Sequence, residues 1–516
     1  MKKFLLEVFS RRNIVLAPEW AHRPGILNFC RDIKAHLESP DARVMKNDAA
    51  ARVVSVSFDH DRLVIKQYNF KSWSKALSRS IRPTRAKRCW KNSIYLKQQG
   101  VTTVAPVALI EDRFGFFGLR SFFVVEHIPG EEARFFFNDP EKSISELSAE
   151  AQKVIESILA FHSKGLFIGD TKDSNVLINH NGAFWVDLED LTAPRLKSAA
   201  HRKWTKDWSI FFNNWNHKEV LHQLFMKAVC SMLDRKEWQK FAAAMAFYAK
   251  KQCTPQRPFA YSGIPDEDFR EIFVEAEKIA GGVPAPGWDK VQSAKTAVVA
   301  KKETPWGRVY CKVFLERNRL EKLKRLFRPG RGARAVKNEH MMRAAGFLVP
   351  QTLYRGKHGE KEFTVSMEIK GVEMTAWLAQ KNLPHRYRRS VLKSLGETIG
   401  TLHLAGFVHG DLRLNNIILQ ESEGECRFYF LDNERTKLYK QIPRRDIVKN
   451  LRQINTDANF RLSRSDRLRI FKAYQKVRGA FKRDREKRLI AEIEKKTAKR
   501  HARSGRLVNG GLNGYP

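Results

Sequence analysis

Two short stretches carry residues whose types and spacing could perform phosphoryl transfer. In Phe407-Val408-His409-Gly410-Asp411-Leu412-Arg413-Leu414-Asn415-Asn416-Ile417-Ile418-Leu419 an apolar approach leads to an Asp, and an Asn follows five residues later. A second apolar run, Phe428-Tyr429-Phe430-Leu431, ends on Asp432. An Asp in such a loop can take or orient a substrate hydroxyl proton, while an Asn and a second Asp hold Mg²⁺ against phosphates. Turns favour Asp and Asn for purely local reasons, so one occurrence would decide little. The pattern occurs twice. Leu166-Phe167-Ile168-Gly169-Asp170-Thr171-Lys172-Asp173-Ser174-Asn175-Val176-Leu177-Ile178 precedes Phe184-Trp185-Val186-Asp187, and each loop has a His eight residues before its Asp, His162 and His403. Asp170 and Asp411 lie 241 residues apart. A period that long means two whole domains in tandem rather than a solenoid.

The elements that must position these groups are also readable. Arg52 to Tyr68 alternates in the strand manner around the polar turn Asp59–Asp61, and Lys66 ends an apolar strand. A kinase keeps the lysine that grips the α/β-phosphates of ATP at such a place. Ser121–Ile128 reads as a buried strand running into Glu126-His127-Ile128-Pro129-Gly130, the hinge whose backbone pairs with adenine in a kinase. Ser148 to Lys164 has helical periodicity and delivers the chain to the first loop. A helix around Trp204–Trp215 carries Asp207, which is expected to brace that loop through backbone hydrogen bonds. After a helical stretch from Asp266 to Ala280, Gly281-Gly282-Val283-Pro284-Ala285-Pro286-Gly287 reads as a linker. The order then repeats: strands Thr296–Ala300 and Arg308–Phe314 with Lys312, a short helix with Glu339, the hinge Thr364–Ile369 with Glu368, and a helix from Arg389 to Leu404. Glu339 is placed to form the Lys–Glu ion pair that fixes the phosphate lysine. Its counterpart in the first copy is Ser93, and Asp446 is the expected counterpart of Asp207.

At 516 residues the chain holds two domains with real cores, and 42% apolar content marks it as globular. The formal net charge is +39, pointing to polyanionic partners. Basic runs cover Lys71 to Lys91, Arg317 to Lys337 and a helix-like tail from Lys476 to Arg506. They read either as solvated helix faces or as cationic surfaces for a phosphorylated substrate or membrane. No nucleic-acid module accompanies them, so no nucleic acid is expected as partner. Six scattered Cys suit a reducing compartment and argue against a disulfide framework or zinc site. Met1–Phe9 is too short for a signal peptide and no run approaches a membrane span, so the expected location is intracellular.

Taken together, Lys66 with Gly-Asp-x-x-x-x-Asn-Val-Leu, and Lys312, Glu339 and His-Gly-Asp-Leu-x-x-x-Asn-Ile, resemble the lipopolysaccharide core kinases, the Kdo/heptose kinase family. The phrases Arg85-Ala86-Lys87-Arg88-Cys89-Trp90-Lys91-Asn92 and Ser463–Tyr474 look like that family too, and the resemblance covers roughly residues 45–250 and 295–480. It implies an α+β chain of two tandem protein-kinase-like domains, each with a small β-rich N-lobe and a helical C-lobe. The expected division is 1–265, a helix and linker at 266–290, 291–480, and a basic tail at 481–516. By the resemblance Asp411 is the catalytic base and Arg413 neutralises the transferring phosphoryl. Asn416 and Asp432 hold Mg²⁺, and Lys312 with Glu339 serves the ATP phosphates. Asp170, Lys172, Asn175, Asp187 and Lys66 are the counterparts, with Glu126 and Glu368 at the hinges. The implied acceptor is lipopolysaccharide core or another anionic glycolipid, met at the cytoplasmic face of the inner membrane by a peripheral protein.

The chain also departs from the pattern. Asp187-Leu188-Glu189 and Asp432-Asn433-Glu434 stand where kinases have Asp-Phe-Gly, and the shared Glu can pair with an arginine or assist metal binding. There is no Gly-rich phosphate loop or Ala-Pro-Glu in either copy, and only about a dozen residues separate Asp432 from the next helix. That leaves little platform for a protein substrate and favours a small-molecule or glycolipid acceptor. Ile168 and Ser93 replace the loop His and the helix Glu in the first copy, which puts its activity in question. A tandem pseudokinase scaffold and a protein kinase are the alternatives.

Overall fold

The computed structural model describes residues 11–47, 51–68, 83–101, 103–114, 117–215, 218–252, 266–294, 296–315, 328–380, 382–422, 424–457, 462–479 and 483–503. Residues 71–82 and 317–327 of the two basic runs, and Met1–Phe9, lie outside them. The chain divides into two compact units, Met1–Trp215 with Val220–Ser231, and Asn216–Glu219 with Met232–Pro516.

In the first unit six antiparallel strands form one sheet, in the order Arg11–Leu16, Pro106–Phe114, Phe117–Glu126, Asp61–Tyr68, Ala51–Phe58, Arg43–Asn47. Side chains on a strand alternate between faces, and here the two faces have different partners. Leu63 and Ile65 pack under a cover formed by Trp20, Ile26, Phe29, Cys30, Ile33 and Leu37. Val64 and Tyr68 point the other way, into a second cluster with Ala86 and Cys89 of the helix Arg85–Gln98. Lys66, between them, therefore stands on the helix side. The segment from Trp20 to Leu37, to which no chemistry could be assigned, is thus the lid of this sheet. Helix Ile144–Ser163, opened by a Ser143/Glu146 capping box, then leads to the loop.

The second unit repeats this logic with a five-stranded antiparallel sheet in the order Trp288–Ala294, Ala297–Thr304, Gly307–Phe314, Lys361–Met367, Thr352–His358. Val309, Cys311 and Val313 pack with Ile272, Ala276 and Ala280 of the helix Asp266–Gly281. Lys312 consequently projects from the opposite face. The helical part is built on His385–Leu404, Arg444–Asp457, Arg464–Arg478 and Arg483–Arg503. Among the described residues no helix is long and apolar enough to cross a membrane.

The tightest helix contact sets one prediction. A Cβ on Gly396 would run into the carbonyl oxygen of Ile470 and lie 2.8 Å from the Cβ of Ala473. Gly396→Ala must push two buried helices apart, and a loss of about 1–3 kcal/mol is expected. Urea unfolding of the variant against wild type measures it; an unchanged midpoint would mean the helices separate freely.

Candidate active site

The second loop is shaped by what passes behind it. The short strand Phe407–Val408 pairs with Lys437–Leu438, which folds the segment after Asp432 back across the loop. Gly410 has no room for a side chain, because a Cβ there would overlap Arg435. His409 is fully buried and burial lowers its pKa, so it is neutral. Its Nδ1 accepts the Asp411 N–H at 3.2 Å, and its Nε2–H donates to the Leu431 carbonyl at 2.8 Å. Asn416 donates to the Asp411 carbonyl at 2.9 Å, and its own carbonyl accepts from Leu431 N at 2.8 Å. The loop and the strand end are therefore laced together around Asp411, Asn416 and Asp432.

Asp411 Oδ1 accepts from Gln453 at 3.0 Å and pairs with Arg413 at 3.1 Å. Asp432 has φ 57° and ψ 48°, a left-handed backbone that costs a non-glycine residue energy and is tolerated where the surroundings impose it. Asp59 is the other non-glycine residue with positive φ among those described, so Asp187 in the first unit is relaxed. Lys312 forms an ion pair with Asp432. The expected pair with Glu339 is not made. Glu339 is buried, accepts from Thr352 at 2.7 Å, and is pushed up to about 7 by burial, against the pull of Thr352, Asn433, Lys312 and Arg343.

That shift has a consequence with a definite sign. Between its ordinary value near 4.5 and about 7, Glu339 is ionised in the unfolded chain but keeps its proton in the folded one. Its contribution to stability therefore falls as pH rises through that window. Glu339→Gln is expected to remove this component, so the stability difference, variant minus wild type, should grow from pH 5 to pH 7. Parallel urea curves at the two pH values test it, and a constant difference would refute it.

What fixes the helix Arg331–Ala344 to the loop after Asp432 is a different pair. Arg331, its first residue, reaches Glu434 with both Nε and Nη2 at 3.0 Å, and its Nη1 donates to Thr296 O at 2.7 Å. Asn338, two turns on, donates to Asn433 O at 2.7 Å and Thr436 O at 3.0 Å. The first unit has the same two-point contact: Arg85 with Glu189, and Asn92 to Leu188 O at 2.7 Å. So the Glu two residues after each Asp pairs with an arginine. Ser93 sits buried at the Glu339 position with its hydroxyl unpartnered.

The remaining first-unit residues assemble likewise. Asn175 donates to Asp170 O at 3.0 Å, Lys172 pairs with Asp170 at 2.9 Å, and Val186 N donates to Asn175 O at 3.0 Å. Lys66 donates to the Val186 carbonyl, next to Asp187. Asp207 accepts from the Ile168 and Gly169 N–H groups at 2.8 Å each and from His162 at 3.1 Å, as expected of a brace. Its counterpart is not Asp446, which instead accepts from the Tyr439 hydroxyl at 2.8 Å. That place is taken by Asn450, bonded to His403 at 3.1 Å and donating to His409 O at 2.6 Å. At the hinges the side chains of Glu126 and Glu368 are engaged by Trp20 at 3.0 Å and Arg308 at 2.6 Å, and their backbone N–H groups donate to Ala105 O at 3.0 Å and Arg308 O at 2.8 Å.

A strand lysine, a helix behind it, a loop Asp–Asn pair and a strand-end Asp define a protein-kinase-like ATP-dependent phosphotransferase. Residues 308–474 match the lipopolysaccharide kinase (Kdo/WaaP) family. The KEOPS complex subunit Bud32 of Pyrococcus abyssi is 27% identical over 165 residues, 32% of this chain and 73% of that protein. Among solved structures, WaaP in complex with acyl carrier protein is 18% identical with a TM-score of 0.34, covering 46% of this chain and 98% of that one. WbdD, also 18% identical, has a TM-score of 0.24, with 36% and 45% covered.

Proposed function

We propose that the second unit transfers the γ-phosphoryl group of ATP to a heptose or Kdo hydroxyl of lipopolysaccharide inner core, and that the chain is a tandem of two kinase-like domains. The observation carrying this reading is the convergence of Lys312, Asp411, Asn416 and Asp432 within a segment that matches the lipopolysaccharide kinases. Asp411 receives the acceptor proton, held in place by Gln453. Lys312 passes from Asp432 to the nucleotide phosphates when ATP enters, and Arg413 faces the developing charge. Asn416 spends its amide N–H on the Asp411 carbonyl, which leaves its oxygen, with the Asp432 carboxylate, as a donor pair. Two oxygen ligands suit Mg²⁺, whose shell is otherwise completed by water and substrate phosphates. Among the described residues no cluster of three or more His, Cys, Asp or Glu could hold a metal by itself. Bound there, Mg²⁺ would neutralise phosphate charge. The net charge of +39 favours docking on an anionic glycolipid and membrane surface.

For the first unit a supporting, non-transferring role is favoured by Ser93, Ile168 and the relaxed Asp187. The test is Mg²⁺-dependent transfer of labelled phosphate from ATP to purified lipopolysaccharide core by the full chain. Incorporation into core sugar is expected, and ATP binding without transfer to any core acceptor would overturn the reading.

A further inference from the structure

Glu219 stands in the stretch that the repeat assigns to the first copy, yet Asn216–Glu219 belong to the second unit, and the chain returns to the first at Val220. Its carboxylate meets two groups there. It accepts from the Tyr429 hydroxyl, and it pairs with Arg343 at 3.6 Å. Tyr429 lies on the strand Glu425–Phe430, three residues before Asp432, and Arg343 lies in the last turn of the helix Arg331–Ala344. The Arg343 side chain is 6% exposed and donates to Val349 O at 3.2 Å. Burial lowers its pKa, and of the groups that oppose this shift Glu219 is the strongest. The backbone closes round the same point, where Phe430 N donates to Leu348 O at 3.0 Å and Leu348 bridges Tyr429. The helix Arg235–Gln252, also encoded before the Gly/Pro stretch, packs against the helix Arg331–Ala344. The first unit is built differently. At the place of Arg343, five residues after Asn92, Lys97 pairs with Glu19 on the surface, and at the place of Tyr429, three before Asp187, Phe184 has no hydroxyl.

A buried guanidinium needs an opposite charge, and a carboxylate shared by two elements fixes their separation through charge-assisted bonds. Here the two elements are the helix that carries Glu339 and the strand that runs to Asp432. The helix is tied to the sheet by Gly332 N, which donates to Glu362 at 2.8 Å, and Lys312 reaches Asp432 from that sheet. The spacing of helix and strand therefore sets where the lysine side of the site meets the aspartate side. We infer that Glu219 is a positioning residue for the transfer site of the second unit, latching the end of the helix Arg331–Ala344 to the strand before Asp432. This rests on the transfer reading above and makes a carboxylate from the first copy's sequence part of the second unit's machinery.

The experiment uses the full chain and the variants Glu219→Ala and Tyr429→Phe, at a temperature where each stays folded by circular dichroism. Glu219→Ala should lower kcat for core phosphorylation about ten- to a hundredfold, the cost of slightly misplaced reacting groups. Its KM for the acceptor should stay within about twofold of wild type. Tyr429→Phe, which cuts one arm of the latch and keeps the charge pair, should fall between the two, and it carries the same readouts should Glu219→Ala not fold. An unchanged kcat in a folded Glu219→Ala overturns the inference, as does a loss confined to the acceptor KM, which would assign Glu219 to substrate binding. A second arm does not need transfer. In Glu219→Ala the amides of the helix Arg331–Ala344 and of residues 425–432 should exchange hydrogen faster, while those of the helix Ile144–Ser163 in the first unit keep their wild-type rates. Unchanged exchange refutes the latch whether or not core is phosphorylated, and equal acceleration in both units refutes it as general destabilisation. Faster exchange at the two latched elements, with no transfer by wild type to any core acceptor, would overturn the function and leave the latch standing.

Discussion

Asp411→Asn is expected to lower phosphate transfer by roughly 10²–10⁴-fold, the range that a positioned proton acceptor contributes. The substitution is close to isosteric, and its amide oxygen can still accept from Gln453, which holds Asp411 at 3.0 Å. The loop geometry therefore survives, and so does nucleotide binding, which the proposed function assigns to Lys312 and Asp432. What is lost is the basicity of the carboxylate and its ion pair with Arg413. Single-turnover transfer, with ATP affinity measured separately, separates the two effects. A variant that loses ATP affinity but not rate would place Asp411 in binding rather than proton transfer. The same change at Asp170 is expected to leave transfer nearly intact, and a matching loss would mean that both units take part.

Arg331→Ala is expected to cost about 3–5 kcal/mol of stability, the scale of a buried ion pair broken from one side. Arg331 and Glu434 are 12% and 7% exposed, so the abandoned Glu434 cannot recover its hydration. Replacing both, Arg331→Met with Glu434→Leu, should return most of that stability, because the desolvation cost disappears with the charges. Activity should not return with it. Without the clamp the helix Arg331–Ala344 keeps Asn338, two turns further on, on the loop behind Asp432, and its first turn loses its ion pair there. Urea unfolding of both singles and the double gives the coupling energy, and transfer rates give the functional half. Full activity in the stable double variant would reduce the pair to a structural contact.

The candidate site was legible because its parts lie close together in sequence. Asp411, Asn416 and Asp432 sit on one loop and the strand after it, and so do Asp170, Asn175 and Asp187. Period-two alternation likewise marked the strand that carries Lys66, and the repeated order of parts marked the one that carries Lys312. Contacts that span the chain were less legible. A Glu two residues after Asp187 or Asp432 could be suspected of an arginine partner, yet that arginine lies about a hundred residues upstream in each unit. Asp446 drew attention as an acidic residue on the right helix, whereas the work is done by Asn450, whose amide donates where Asp207 accepts. A search for carboxylates could not find it. In the C-terminal helix three buried positions are hidden among twenty-one mostly charged residues, so composition suggested a solvated tail.

The lids over the two sheets bear on where the chain can be cut. The Gly/Pro stretch 281–287 invites division there, since its composition is that of a joint. A fragment beginning after it would bare Val309, Cys311, Val313, Leu353, Phe363 and Val365, the floor on which Ile272, Ala276 and Ala280 rest. The second sheet wears a cap encoded upstream of its own first strand, and the first sheet wears one encoded between its strands Arg11–Leu16 and Arg43–Asn47, so the hereditary unit of this architecture is cap plus sheet plus helices. Any shuffling that transplants the catalytic part as a self-sufficient module has to carry the sequence from Asp266 along, and the apparent hinge belongs inside the inherited piece.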